Sequence, residues 1–300
     1  PYTISSAPRE RRHYDLTVKR VQGGFVSDYL LDHASAGQTC ESTGPMGTFY
    51  YNPLYHGDDL VFLAGGSGIT PAYSMIQDMA ERKVNRRFHL VYGSRSEDDI
   101  IFEAPLQKLE AELPGLRVTH VLSEPSPAYD GRRGFITAEL LRDLLGDIEG
   151  KMFYVCGPPA MYDFCLPELE KLGVPRRRIR REAYGPPAAP HQRPGWPADV
   201  GLDSRFTVKL PDGREIQAPA GEPLLNTLER NGAFSEAACR SGECSLCRLK
   251  LVSGEVFQPE EARVRRSDRR HGFIPSCARS PWSDLEIEYC IEAADLHGNH

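Results

Sequence analysis

The spacing Cys239-x4-Cys244-x2-Cys247, closed by Cys277 after 29 further residues, constrains this chain more than anything else in it. Three thiols in one tight loop, with a fourth from a distant segment, form the ligand order of a plant-type two-iron cluster. The loop wraps one side of such a cluster and the distant cysteine closes the other. Ser241 and Gly242 keep the loop small, and Arg240 is placed to balance the anionic thiolates. A structural zinc site is the competing reading, but zinc ligands more often come as two C-x2-C knuckles, which are absent here. The other four of the eight cysteines, Cys40, Cys156, Cys165 and Cys290, are scattered. Clustering of this kind in a 300-residue chain without a secretory signal points to a metal site in a reducing compartment. The expected location is the cytoplasm.

The surroundings agree with a ferredoxin. Phe206–Leu210 and Glu215–Ala218 flank the hairpin signal Pro211-Asp212-Gly213. A helix carrying Leu224, Leu225 and Leu228 on one face precedes the cysteine loop. Residues 204–293 therefore read as a β-grasp ferredoxin domain, with 294–300 as a tail. Upstream, residues 186–203 hold five prolines, which deny the stretch a helix or a central strand and mark a semi-rigid linker.

Residues 58–185 have a different rhythm. Leu60–Ala64, Phe88–Tyr92, Val118–Leu122 and Met152–Cys156 are short apolar runs. They alternate with helix-compatible stretches at Pro71–Arg82, Ala104–Leu113 and Ala138–Leu145. That alternation predicts right-handed crossovers and a parallel sheet. Residues 1–57 instead carry strand-like alternation at Tyr14–Arg20 and a glycine-rich turn at Gly44–Gly47, as in β-barrel sequence. They are short for a closed barrel and are expected to lack its N-terminal half. With 40% hydrophobic and 26% charged residues, the chain has enough apolar material to bury real cores. Its longest apolar run, Leu60–Ala64, is far below the ~18 residues of a membrane span. The net charge of −6 argues against nucleic-acid binding by bulk electrostatics.

Three motifs in this N-terminal part carry chemistry. Gly65-Gly66-Ser67-Gly68-Ile69-Thr70-Pro71 follows a buried strand and opens a helix, with Thr70 as a natural N-cap and Pro71 at the first helical turn. Such a turn lets backbone amides approach a pyrophosphate, although tight strand–helix joints use glycines for packing as well. Val155-Cys156-Gly157-Pro158-Pro159-Ala160-Met161 ends the last strand, where open α/β sheets bind ligands. A buried core cysteine is the plain alternative for Cys156. Gly23–Leu30 suggests a short helix capped near Ser27, either an anion-binding turn or merely a connecting helix.

Together these residues resemble the ferredoxin–NADP reductase-like flavoproteins. They are most similar to oxygenase reductase components ordered flavin domain, nicotinamide domain, ferredoxin domain, such as the phthalate dioxygenase and phenylacetyl-CoA epoxidase reductases. The fold class this implies is multidomain β, α/β and α+β. It comprises a partial Greek-key flavin-binding β-barrel (1–57), a parallel-sheet α/β nicotinamide-binding domain (58–185) and the β-grasp ferredoxin domain. The resemblance matches Tyr2-Thr3-Ile4-Ser5 to an Arg-x-Tyr-Ser/Thr flavin motif whose arginine would precede Pro1. It implies that Tyr2 packs on the isoalloxazine and Thr3 hydrogen-bonds near its N5. Val18, Lys19, Gly24, Val26 and Ser27 match segments lining the flavin's phosphate and ribityl chain. Gly44–Phe49 resembles the turn of FAD-binding relatives, so FAD is expected, with FMN as the alternative.

For the nicotinamide, Gly65, Gly66, Gly68, Thr70 and Pro71 match the pyrophosphate loop. Cys156, Gly157, Pro158 and Met161 match a Cys-Gly-x-x-x-Met signature, and Tyr184 matches an aromatic residue beside the flavin. Ser123-Glu124 stands where NADPH-selective relatives place Ser-Arg. The carboxylate would repel a 2′-phosphate and accept from a 2′-hydroxyl, which favours NADH. Arg95, Arg132 and Arg133 are the cations nearby that would favour NADPH. The implied activity is an NAD(P)H-dependent reductase passing electrons through flavin and a 2Fe-2S cluster, one at a time, to a partner. Thr3, Cys156 and Tyr184 are the catalytic candidates. Cys239, Cys244, Cys247 and Cys277 are the metal ligands. The partner would be a terminal oxygenase, a cytochrome P450 or another redox protein, separate or fused upstream. Two alternatives stand beside it: an electron-transfer subunit of a larger dehydrogenase or reductive dehalogenase, and a flavin-free zinc-binding module. The arginine runs 176–181 and 263–270 hold five arginines each. Such runs are usually solvated faces, but the second lies between cluster ligands, where it would steer an acidic partner.

Overall fold

The computed structural model describes residues 2–42, 44–182, 185, 189–234, 236–242, 244–259 and 264–290. The chain forms two compact units, Tyr2–Ala183 and Tyr184–His300.

In the first unit, helices α1 (Phe25–Asp32) and α2 (Pro53–His56) precede a six-stranded sheet. Its strands are β1 (Asp59–Gly65), β2 (Arg87–Ser94), β3 (Leu116–Leu122), β4 (Arg132–Arg133), β5 (Met152–Cys156) and β6 (Ile179–Glu182). They are all parallel, in the order β4-β3-β2-β1-β5-β6. Helices α3 (Thr70–Arg82), α4 (Glu103–Glu112), α5 (Ala138–Leu145) and α6 (Pro159–Lys171) alternate with them. The unbroken apolar run of β1 is explained by its central place: Leu60 to Ala64 are all 1% exposed or less, because both faces of the strand are covered. On one face Val61, Leu63, Val91, Phe153 and Val155 meet Leu141 and Leu169 of the helices. On the other, the rings of Phe62 and Tyr154 stack 5.7 Å apart, and Phe49 from the N-terminal segment packs edge-on against both. Burying a side chain such as Phe62 contributes ~1.5–3 kcal/mol.

The chain order has a consequence for binding. After β1 the chain steps outward through β2, β3 and β4, then returns to place β5 on the other side of β1. The carboxyl ends of β1 and β5 therefore flank a topological switch point, the crevice where such sheets bind ligands.

Residues 2–57 depart from the strand-like reading of Tyr14–Arg20: only Leu16 pairs, in a single antiparallel bridge to Ile4. Tyr14 and Leu16 are exposed, so the alternation has no facing layer among the described residues to bury it. The segment is tied instead to α3, where Ser74 Oγ donates to Ser6 O (2.8 Å) and Gln77 Nε2 to Ser5 O (2.6 Å). The short helix expected at Gly23–Leu30 is α1, but its N-cap is Gly24, not Ser27. Ser27 is buried in the first turn, its Oγ accepting from Val21 N at 3.2 Å. Thr70 is likewise not a cap: its hydroxyl donates back to Ser67 O (3.0 Å), while Pro71 takes the first-turn position as expected.

The second unit contains β7 (Arg205–Lys209), β8 (Glu215–Pro219), α7 (Leu224–Arg230), β9 (Arg248–Ser253), β10 (Val256–Phe257), α8 (Arg266–Arg270), β11 (Phe273–Pro275), β12 (Ser280–Pro281) and β13 (Leu285–Tyr289). Its main sheet runs β11-β9-β13-β7-β8, with β13 parallel to β7 and the other pairs antiparallel. The Pro211-Asp212-Gly213 signal makes the β7–β8 hairpin, with Gly213 at φ +85°. Leu224, Leu225 and Leu228 of α7 are completely buried, and Leu224 and Leu228 join Val208, Ile216, Leu249 and Ile287 in one core. The proline-rich stretch, described from residue 189, is not a bare spacer. Trp196 Nε1 donates to Val200 O (2.9 Å), and its ring packs edge-on against Phe257 at 5.1 Å.

Candidate functional site

At the switch point the backbone of the glycine loop bears directly on the end of β5. Gly65 is extended at the end of β1, Gly66 has φ +52°, and Gly66–Ile69 form a 3-10 turn leading into α3. A Cβ on Gly68 would lie 2.1 Å from Cys156 O and 2.7 Å from Gly157 N. Added carbons on Gly65 and Gly157 would both strike Met161 Sδ, at 2.6 and 2.4 Å. Gly65, Gly68, Cys156, Gly157, Pro158 and Met161 thus form one interlocked joint, and the two motifs are spatially a single site. At Gly68 only hydrogen fits, because a Cβ would meet backbone, whereas at Gly65 and Gly157 it would displace the Met161 side chain. Glycines at a helix N-terminus make a cradle suited to the close approach of a pyrophosphate. Tyr92 of β2 braces it, donating to Gly66 O (2.9 Å) and accepting from Ile101 N (3.2 Å).

Other expected site residues gather at the same end of the sheet. Lys19 Nζ lies against the Gly66 position and pairs with Asp99 at 3.1 Å, and Asp99 also takes Arg95 Nε at 3.4 Å. Those two cations hold the Asp99 carboxyl below the usual range, Lys19 contributing most. Ser123 and Glu124 follow β3 beside them, their amides donating to Ser94 O (3.1 Å) and Arg95 O (2.8 Å). Arg132 and Arg133 form β4, and Arg133 Nη2 is occupied by the carbonyls of Ser126 and Pro127. Thr3 Oγ1 donates to Glu182 Oε2 (3.1 Å), at the end of β6, whose Glu182 is in register with Cys156. Tyr2 beside it is 36% exposed, with its hydroxyl pKa raised by burial. Glu182 was invisible to sequence reasoning, since it belongs to no motif and approaches Thr3 only through the fold.

One expected position comes out differently. Cys156 is completely buried, and its thiol shares a hydrogen bond with the Tyr162 hydroxyl, which also accepts from Gly157 N (3.1 Å) and donates to Glu182 O. Its sulfur lies beneath the site rather than on its open surface. Of the residues expected along the flavin, Gly24 and Ser27 bond locally around α1. Tyr184 lies outside the described residues.

In the second unit the cysteine loop runs from α7 to β9. Arg240, Gly242 and Ser245 adopt positive φ, which winds the loop tightly. The amides of Ser241 and Cys244 both point at Cys239 Sγ, at 3.4 Å each. Cys277 comes from the 3-10 turn Ser276–Ala278. Ser276 latches that turn to Cys247 O through its amide (3.0 Å) and its hydroxyl (2.8 Å). Cys247 and Cys277 are 1% and 2% exposed, whereas Cys239 and Cys244 are partly exposed. The Cys244 and Cys277 thiols act on Cys239, and the Cys277 thiol acts on Cys247. They hold Cys239 well below the ordinary thiol range and bring Cys247 down to about 7. Among the described residues no group of three His, Cys, Asp or Glu side chains converges on one point. The two amides on Cys239 Sγ are N–H···S bonds of the kind that stabilise an anionic cluster. Arg240, expected to balance the thiolates, is instead engaged by Glu229 of α7 in a two-pronged ion pair, at 2.9 and 2.5 Å.

Comparison with known proteins agrees with this division. Residues 1–51 match the model of the oxidoreductase FAD-binding domain, 62–166 the oxidoreductase NAD-binding domain, and 208–281 the 2Fe-2S iron-sulfur cluster binding domain. The glycine betaine monooxygenase reductase subunit of Pseudomonas aeruginosa is 29% identical over 96% of this chain and 81% of its own length. The NADH oxidoreductase HCR of Escherichia coli is 31% identical over 95% of this chain and 82% of its own. The structure of phthalate dioxygenase reductase superposes with a TM-score of 0.65 at 24% identity, covering 96% of this chain and 82% of that one, so the two share a fold. A fold of this kind, with a nucleotide cradle and a cysteine loop, defines the class of flavin- and iron–sulfur-dependent oxidoreductases. The chain belongs to the family of NAD(P)H-dependent reductases built from FAD-binding, NAD-binding and 2Fe-2S domains. The zinc reading is thereby set aside. Among the described residues no helix is long and apolar enough to cross a membrane.

Proposed function

We propose that this protein takes electrons from NADH and delivers them singly to a terminal oxygenase, with residues 1–57, 58–185 and 204–293 serving as flavin, nicotinamide and cluster modules joined by 186–203. Its working location is the cytoplasm. The observation that carries the reading is the interlocked glycine cradle at the β1–β5 switch point on the same chain as a four-thiol loop. When bound, the flavin and the two-iron cluster supply the conversion of a two-electron donor into one-electron deliveries.

The chain's own residues bind and orient. Gly65, Gly66, Gly68, Thr70, Pro71, Gly157, Pro158 and Met161 would receive the dinucleotide, with the α3 N-terminus favouring its phosphates. Tyr2, Thr3 and Ile4, together with Val18, Lys19, Gly24, Val26 and Ser27, would line the flavin. Thr3, held by its hydrogen bond to Glu182, would orient the edge of the bound ring. Cys156 acts here through Tyr162 and Gly157, as a positioning residue beneath the rings, and Tyr184 is the remaining candidate for a cover over the flavin. Cys239, Cys244, Cys247 and Cys277 would hold the cluster.

Two features bear on donor and acceptor. Arg95 and Arg133 are engaged by Asp99 and by loop carbonyls, and Glu124 would meet the ribose. Glu124→Arg is therefore expected to raise the NADPH-to-NADH ratio of kcat/KM by about tenfold, since a carboxylate repelling a 2′-phosphate becomes a partner for it. An unchanged ratio in steady-state assays would place the discrimination elsewhere. On the acceptor side, Arg265, Arg266, Arg269 and Arg270 are exposed along α8. The helix is held beside the cysteine loop by its buried Asp268, which takes Arg248 Nη1 at 3.1 Å and shares a small cavity with Gly242 and Ser245. Reversing Arg266 and Arg269 to glutamate should slow transfer to an acidic oxygenase by about tenfold at low ionic strength, with the loss shrinking as salt is added. A rate indifferent to both charge and salt would return these arginines to a solvated face.

A further inference from the structure

Among the described residues Arg279 is the largest completely buried side chain, at 1% exposure. It stands directly after the turn that delivers Cys277. Its Nη1 donates only to the adjacent Ala278 carbonyl, at 2.9 Å, and its Nε and Nη2 are buried with no hydrogen-bond partner. Among the described residues no carboxylate pairs with it. Cys277 lies two residues back in the adjoining turn, and Ser276 of that turn is bonded to Cys247 O. An arginine guanidinium is not deprotonated in proteins, so this one is a buried cation. A guanidinium removed from water with two of its nitrogens unmet is costly, and buried cations persist where an anionic centre compensates them. Arg240, the arginine inside the cysteine loop, has its compensation in Glu229. Arg279 has the cysteine set.

We propose that Arg279 is a positioning residue whose buried charge sets the reduction potential of the cluster held by Cys239, Cys244, Cys247 and Cys277. The inference rests on that ligand assignment. Its sign follows from charge. Reduction adds one electron to an already anionic cluster, and a fixed, dehydrated cation nearby stabilises the reduced form more than the oxidised one. Neutralising the cation therefore makes the cluster harder to reduce.

The test uses the full chain, reconstituted anaerobically with iron and sulfide and poised at set potentials, with the reduced cluster read by electron paramagnetic resonance. At the wild-type midpoint, Arg279→Met should lower the ratio of reduced to oxidised cluster by tenfold or more, a shift of at least 59 mV for one electron. Arg279→Lys, which keeps the charge, should stay within about threefold of wild type. A ratio in Arg279→Met equal to wild type overturns the proposal, as does a lysine variant that shifts as far as the methionine one. Should Arg279→Met take up no iron, the lysine variant decides alone: a loaded cluster at the wild-type potential supports the charge role, and failure to load assigns Arg279 to packing. Wild-type protein that binds no iron would contradict the ligand assignment itself, a result distinct from a loaded cluster with an unmoved potential.

Discussion

Cys247→Ser is expected to abolish electron delivery to a one-electron protein acceptor while leaving reduction of the bound flavin by NADH unchanged. Cys247 is the most deeply buried of the four thiols, acted on by the Cys277 thiol and latched by the two bonds from Ser276 to its carbonyl. Serine keeps the backbone latch and nearly the volume, but removes the soft thiolate that iron prefers. The loss should exceed the ~10–100-fold that removing a mere outer-shell partner costs a metal site. Rapid-mixing absorbance would follow the flavin, and acceptor reduction would follow delivery. Loss of both activities would mean that the cluster does not lie downstream of the flavin.

The second large effect is expected at Gly68. A methyl group there would stand 2.1 Å from Cys156 O and 2.4 Å from the same carbonyl carbon. These are backbone atoms of the central strand β5, with no flexible side chain to swing aside, so the end of β5 must part from the loop after β1. Overpacking of this kind costs ~1–3 kcal/mol, and here it falls on the nucleotide cradle as well as on stability. Gly68→Ala should therefore lower the denaturation midpoint and raise the KM for NADH together. A variant of wild-type stability with unchanged KM would show that the loop and β5 do not touch as described.

Much of this was legible in the chain, because the informative features are local or rigidly periodic. The run Leu60–Ala64 is unbroken because β1 is covered on both faces, and Met152–Cys156 and Ala138–Leu145 match their elements end to end. The cysteine spacing likewise needs no tertiary knowledge, since a two-iron cluster dictates the loop. What escaped the sequence depends on distant partners. Arg240 looked like a counter-charge to the thiolates until α7 brought Glu229 to it, whereas Arg279, in no motif, occupies the interior. Thr3 and Glu182 are 179 residues apart and meet only because β6 lies beside β5. Ser27 and Thr70 have the right chemistry for caps, but neighbouring carbonyls compete for their hydroxyls, and the actual caps are Gly24 and Ile69. The alternation at Tyr14–Arg20 describes a strand only where another strand pairs with it, and one bridge to Ile4 is all that the described residues supply.

The most direct test is an anaerobic rapid-mixing experiment in which the reconstituted wild-type protein meets NADH and both chromophores are followed. The account predicts that the flavin band bleaches first and that the iron–sulfur absorbance then falls, with one cluster reduced per chain. A cluster that stays oxidised after the flavin is reduced, or a protein that retains no iron, would contradict it.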